Sequence, residues 1–318
     1  MIMAETKTKI RHQGRVSQTL IYLGKLFRML VFQNDWKVLP MSAVIAGLVC
    51  FVVGANLFKT MEGTLMGSFA MACICIWNGF FNSIQVIVRE RPIIKREHRS
   101  GLHITAYVAA HMIYQAFLCL CQTVITLWVC HIARVTFPAR SMFFSNSVID
   151  LGITLFLITY CADMMALMVS AFVHTTTAAM TVMPFLLIFQ LVFSGGFFSL
   201  SGSALKVTNF TIAKWGLTAL CSQGDYNSLP MVTLWNTMVK MENVEYDGLK
   251  PVSQALNTIK EQNMQDELLK WSGTQNQNAK YDFSPDNVKK CWGFLILYIF
   301  VYSGIAVISL EFIDRDRR

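Results

Sequence analysis

Charge is what this sequence has least of. Asp, Glu, Lys and Arg make up 14% of its 318 residues, where a soluble domain carries about 25%. Hydrophobic residues make up 54% and mean hydropathy is +0.46, so too little polar surface is left to face water on all sides. An ordinary soluble domain is excluded, and lipid is the natural solvent for much of the chain. A phosphate-binding Gly-x-x-x-x-Gly-Lys-Ser/Thr loop is also missing. Gly54-Ala-Asn-Leu-Phe-Lys59-Thr60 lacks the second glycine, and Phe193-Ser-Gly-Gly196 has the apolar flanks of a span's end. The chain therefore has no nucleotide-binding domain of its own.

Metal-ligand spacing is absent too. The six histidines (His12, His98, His103, His111, His131, His174) form no His-Glu-x-x-His or related pattern. Of nine cysteines, Cys50, Cys73, Cys75, Cys119, Cys121, Cys130 and Cys161 lie in apolar segments, which excludes a secreted disulfide scaffold. They read as small apolar packers. Only Cys221 and Cys291 sit in or beside a large polar loop, and a bridge between them stays open. No short apolar core with a small-residue cleavage site occupies the first 19 residues. The first apolar span is expected to act as an uncleaved insertion signal. Deep acidic residues are nearly absent: Asp163 has no second carboxylate at its depth, which favours a structural polar contact over a proton relay.

What is present is a series of long apolar runs. They cover approximately Val38–Phe58, Thr64–Val88, Ile104–Ala133, Val148–Val173, Ala178–Ser199 and Trp292–Leu310, each near or above the ~20 residues that cross a bilayer. Before them, Leu20, Leu23, Phe27, Leu30 and Val31 recur at helical spacing around Lys25 and Arg28. That pattern predicts an amphipathic helix, lying in the headgroup layer or packed on a partner. Asn78, Asn82 and Gln85 recur along the second span as interhelical contacts or cavity lining.

Basic residues orient the spans. Lys7, Lys9, Arg11, Arg15, Lys25, Arg28 and Lys37 precede the first. Arg89, Arg91, Lys95, Arg96 and Arg99 follow the second, and Arg315, Arg317 and Arg318 close the tail. The short loops on the other side hold only Lys59, Arg134 and Arg140. Both termini are thus expected in the cytoplasm of a multi-pass plasma-membrane protein. The expected fold is all-α: six transmembrane helices preceded by an amphipathic interfacial helix, with a small helical extracellular cap between helices five and six. In domain terms, residues 1–37 form the N-terminal segment and 38–199 the first five spans. Residues 200–291 form the cap, and 292–318 the sixth span and tail. Within the cap, Val252, Leu256 and Ile259 predict one short helix, and Met264, Leu268 and Leu269 another.

The most informative loop is Arg89-Glu-Arg-Pro-Ile-Ile-Lys-Arg-Glu-His-Arg-Ser-Gly-Leu-His103. Pro92 can start a helical turn and Gly101 can end one. Mixed charge around Ile93 and Ile94 suits either a docking surface or a solvated loop. Glu90-Arg-Pro, then Arg96-Glu97, then Gly101 closely resembles the ERPxFxRExxxGxY loop of ABCG-type (white and pleiotropic drug resistance) ABC transporter permeases. Ile94 stands where that family usually has an aromatic residue, and His103 where it often has Tyr or a small residue. Phe27-Arg with Gln33 and Asp35 is similar to the helix before the family's first span. Asp163-Met-Met-Ala-Leu-Met-Val-Ser170, Pro184, Phe193-Ser-Gly-Gly196 and Lys214-Trp-Gly-Leu-Thr-Ala219 resemble its later parts, in the same order. Residues 223–290 have no counterpart.

The resemblance implies an ABC-2-like exporter permease that works as a dimer of two halves. Energy would come from an ABC ATPase, a separate subunit or a domain removed from this chain, which would hold ATP and Mg. The implied coupling residues are Glu90, Arg91, Arg96, Glu97 and Gly101. Trp77, Asn78 and Phe81, with Phe189 and Phe193, would line the substrate path, and Phe197 and Phe198 would form an apolar gate. Aromatic walls suit apolar or amphipathic cargo. No cofactor, metal or nucleic acid is expected on this chain. A membrane-embedded enzyme, or a ligand-binding membrane protein without transport, is the competing expectation.

Overall fold

The computed structural model describes residues 14–32, 35–196, 202–245 and 250–312, and every regular element among them is helical. The first is α1 (Arg15–Phe32), followed by α2 (Val38–Val53), α3 (Met61–Ser83), α4 (Val86–Arg99) and α5 (Ile104–Ile132). Then come α6 (Ser147–Phe172), α7 (Thr176–Val192), α8 (Ser203–Thr208) and α9 (Ile212–Gln223). The chain continues through α10 (Thr233–Lys240), α11 (Pro251–Glu261), α12 (Gln265–Gln275) and α13 (Pro285–Glu311).

Among the described residues, four helical stretches are long and apolar enough to cross a membrane: Met61–Arg99, in which α3 runs on into α4, Ile104–Ile132, Ser147–Phe172 and Pro285–Glu311. Two of the six expected spans are shorter. With 16 and 17 residues, α2 and α7 reach about 24–26 Å, against a hydrocarbon core of about 30 Å. The first stops early because the chain turns at Gly54, where an added Cβ would meet Val135 at 3.0 Å.

At the centre stands α6, buried on nearly every side. It has no polar face to turn to water, so it must be wrapped by other helices. Its closest neighbour is α3. A Cβ on Gly79 would sit 2.4 Å from the Thr159 carbonyl oxygen and 2.7 Å from the Asp163 nitrogen. Only a glycine lets the two backbones approach that far. Outward faces are apolar: Val44, Leu48 and Phe51 on α2, Leu120, Val124 and Trp128 on α5, and Leu297, Phe300 and Ile308 on α13 are exposed. Such a surface is stable only in lipid or under a partner. The chain is an integral, multi-pass membrane protein.

The α1 stripe is packed on α5. Leu26 clusters with Ala110, Tyr114 and Leu118, and Leu23, Phe27 and Leu30 pack around them. Leu20 and Val31, expected in that stripe, are exposed instead. Gln18 Nε2 donates to the Gly101 carbonyl at 3.2 Å, and its Oε1 accepts from the His103 N–H at 2.9 Å. So α1 is tied to the turn that leads from α4 into α5.

Part of the expected outer loop is core. Every residue of α9 except Lys214 is buried, and Gly216 lies so close to α6 that a Cβ would meet Ile158 at 2.7 Å. The cap proper consists of α10, α11 and α12, the last two at the positions expected from the apolar spacing. It is bound to the start of α3: Glu62 accepts from the Val232 N–H at 3.3 Å and the Thr233 N–H at 2.7 Å. Those are the first donors of α10, a favourable place for a carboxylate. Cys221 and Cys291 are both free thiols, so the bridge left open by the sequence is not formed.

Candidate functional site

Three features draw on α3. The first is α4, the helix that continues from it. The chain breaks at Ile84–Gln85 and restarts as α4, whose four arginines, lysine and two glutamates are too costly to place in hydrocarbon. The helix begins at Val86, earlier than Pro92 would set it, so Pro92 lies inside it. Ser170 explains the early start. Its hydroxyl oxygen accepts from the Ile87 and Val88 N–H groups at 3.1 and 3.2 Å, capping the new helix from α6. Gly101 ends it as expected, at φ 104°, a conformation that favours glycine.

The faces of α4 have separate jobs. Ile87 and Ile94 are buried, and Glu90 and Glu97 lie half-buried beside them. Glu90 accepts from Lys25 Nζ at 3.1 Å and from the Tyr107 hydroxyl at 2.8 Å, and its Oε2 lies 3.7 Å from His111 Nε2. Arg91 donates to the Ala171 and Val173 carbonyls at 2.9 and 3.2 Å, at the end of α6. Burial pushes the Glu97 carboxyl up. Arg89, Pro92, Ile93, Arg96 and Ser100 are exposed. Of the expected coupling residues, Glu90 and Arg91 thus anchor the helix to α1, α5 and α6, while Arg96 faces outward. Arg89 and Ile93 join it there; Ile93 belongs to the apolar pair noted in the sequence, and Arg89 to the loop's basic residues. A signal for this was present: Ile87, Glu90, Ile94 and Glu97 follow a three-four-three spacing, which marks one helix face.

The second feature is a pair of aromatic steps. Trp77 and Phe81, one turn apart on α3, have ring centroids 5.5 Å apart and are exposed. Phe189 and Phe193, at the end of α7, are 4.9 Å apart, with Phe189 exposed and Phe193 half-buried. Asn78 is placed elsewhere. It is 5% exposed and turned into the bundle, because the next residue on a helix points about 100° away. Phe197 and Phe198 lie outside the described residues. Of the two glycines before them, Gly195 serves the turn, at φ 72°, and Gly196 serves close packing, where a Cβ would meet Leu217 at 2.7 Å.

The third is a closed polar cluster around Asp163, which is fully buried. Ser83 donates to its Oδ1. Asn82 Nδ2 and Cys119 Sγ donate to its Oδ2, at 3.2 and 3.3 Å. Asn82 and Gln122 exchange two further bonds of 2.9 and 3.0 Å. The cluster joins α3, α5 and α6, as the structural reading of Asp163 anticipates.

Residues 23–217 match the model of the ABC-2 type transporter, a stretch that runs from within α1 into α9. The chain belongs to the ABC-2 type transporter family. No curated protein matches it. As the membrane domain of an ABC-2 transporter, it is a transport component rather than a catalyst. The match takes in α2 to α7 and both aromatic pairs, and it stops before the cap and α13.

Proposed function

We propose that this ABC-2 domain is the permease of an ABCG-type exporter. Two such halves would face each other, driven by an ABC ATPase on a separate subunit or on a domain joined to this stretch. Cargo that is apolar or amphipathic would move past Trp77, Phe81, Phe189 and Phe193. The observation that carries this reading is the two-sided build of α4. One side is bonded to α1, α5 and α6 through Glu90, Arg91 and the Ser170 cap. The other presents Arg89, Ile93 and Arg96 to the surface. A helix fixed to the bundle and exposed on the opposite face can pass a push from a partner into α3 and α6. Its positive face with one apolar residue suits an ATPase groove that is acidic at the rim and apolar at its floor.

The test is co-purification of the chain with its ATPase from its own membrane, together with ATP-dependent transport in vesicles. Ile93→Asp with Arg96→Glu should abolish the association while the chain still inserts and folds. Full retention of the ATPase by that double variant would overturn the assignment of α4. For the path, Phe81→Ala should lower transport several-fold with the ATPase still bound.

A further inference from the structure

Two sulfur atoms in the bundle lie closer than packing requires. Cys50 on α2 and Cys130 on α5 hold their Sγ atoms 3.3 Å apart, inside the roughly 3.5–4.0 Å of an ordinary non-bonded contact. Both are thiols in the structure, and the gap between them is only about 1.3 Å longer than an S–S bond. Each sits in the last turn of its helix. The chain just beyond keeps these two helix ends together. The Thr136 hydroxyl donates to the Leu57 carbonyl at 3.1 Å. Val135, whose N–H donates to the Cys130 carbonyl at 3.0 Å, packs beside Gly54. The only other buried residues of α2 are Ser42 and Ala46. Three small side chains make up its buried face, so little apolar burial fixes the helix in place.

Both helices begin on the basic side of the molecule: Lys37 precedes α2, and Arg96 and Arg99 precede α5. With that side in the cytoplasm, the last turns of α2 and α5 lie at the outer face, where thiols are oxidised. We propose that Cys50 and Cys130 form a disulfide that fastens α2 to α5 at the outer face. The inference shares its orientation of the spans with the transport reading but needs no ATPase and no cargo. The oxidant is a disulfide of the outer compartment, RSSR. The Cys50 thiolate attacks one of its sulfurs, forming a Cys50–S–S–R bond and releasing RS⁻. The Cys130 thiolate then attacks Cys50 Sγ, and the second RS⁻ leaves. The two cysteines lose two electrons and two protons, and RSSR becomes two RSH. At 5% and 1% exposure the packed pair is closed to RSSR, so the first exchange precedes the docking of α2 on α5. Docking brings Cys130 up to the mixed disulfide and leaves no room for R. Once closed, the bond is shielded from reductants by the same burial.

The test uses the full chain from its own membrane. The membrane is dissolved in denaturant with excess N-ethylmaleimide, which caps every free thiol before it can exchange. The protein is then digested without reductant. Mass spectrometry should find the peptides of Cys50 and Cys130 joined, and reduction should separate them. Cys75, Cys119 and Cys161, which lie mid-helix, serve as capped controls. Capped Cys50 and Cys130 in the unreduced chain would overturn the proposal, as would either one joined to a different cysteine. Thermal unfolding in detergent gives a second measurement. Cys50→Ala, Cys130→Ala and the double variant should all lower the midpoint by the same amount, about 5–10 °C, because each removes the same bond. Losses that add up in the double variant would mean that the two side chains only pack, and would also overturn it. The peptide map needs no variant, so a misfolded one would not blunt the test.

Discussion

Two polar regions meet at Asn82, and they are built in opposite ways. On one side, Asp163 has its oxygens bonded by Ser83, Asn82 and Cys119, and Gln122 completes the set. On the other, beside a cavity between α1, α3, α4 and α5 that Asn82 also lines, both His111 ring nitrogens and Gln115 Oε1 make no hydrogen bond. Both draw on α3 and α5 in an apolar setting. A closed network in such surroundings holds helices together, because opening it strands each member without water. An open one stabilises nothing by itself. The contrast separates the polar groups that keep the bundle assembled from those that do not.

Breaking the closed region should have the largest effect. Asp163→Ala leaves three donors stranded and is expected to cost about 3 kcal/mol or more. Thermal unfolding in detergent would read this, and Asp163→Asn should recover most of the loss because an amide oxygen still accepts. Next comes the contact that brings the two helices together there. Gly79→Ala pushes α3 off α6 and should cost about 1–3 kcal/mol, seen as a lower unfolding midpoint; an unchanged midpoint would mean that the approach is looser than the structure shows. Glu90→Gln lies where the open region meets α4. It weakens a partly exposed pair with Lys25, so about 1 kcal/mol is expected, with faster hydrogen exchange confined to α4 and the start of α5. The smallest effect on stability belongs to the exposed face: Ile93→Asp with Arg96→Glu should change stability by less than about 0.5 kcal/mol, yet remove ATPase binding. Large destabilisation by that pair would erase the distinction between the anchored and exposed sides of α4.

The long apolar spans were legible because a run of some 20 apolar residues has few alternatives to a membrane helix. The Asp163 cluster was legible only as a question, since which neighbours meet a buried carboxylate depends on packing across three helices. The burial of α9 was hidden by its composition. Thr218, Ser222 and Gln223 resemble loop residues, but Thr218 and Ser222 are small enough to pack inside, and Gln223 is bonded to Thr154 and the Asp150 carbonyl. For α4 the residues were identified but their directions were not. The resemblance marks Glu90 and Arg91 without the face on which they sit, and both bond inward. The cavity was legible only in part: Asn82 and Gln85, read as contacts or cavity lining, both line it, but its other walls were not. Leu26, Asn82, Glu90 and Gln115 come together only after α1 folds back along α5.

The double attachment of α3 has a mechanical consequence. At one end it is fastened to the cap through Glu62, and at the other it leads into α4. Between these points it runs 23 residues, about 35 Å as a rigid rod. With Gly79 pressed against α6 part-way along, the helix resembles a beam resting on a fulcrum. A tilt of about 5° over that length shifts one tip by roughly 3 Å relative to the other. A force on the charged helix would then be felt at the cap, a whole membrane thickness away, without any change in the beam's own hydrogen bonds.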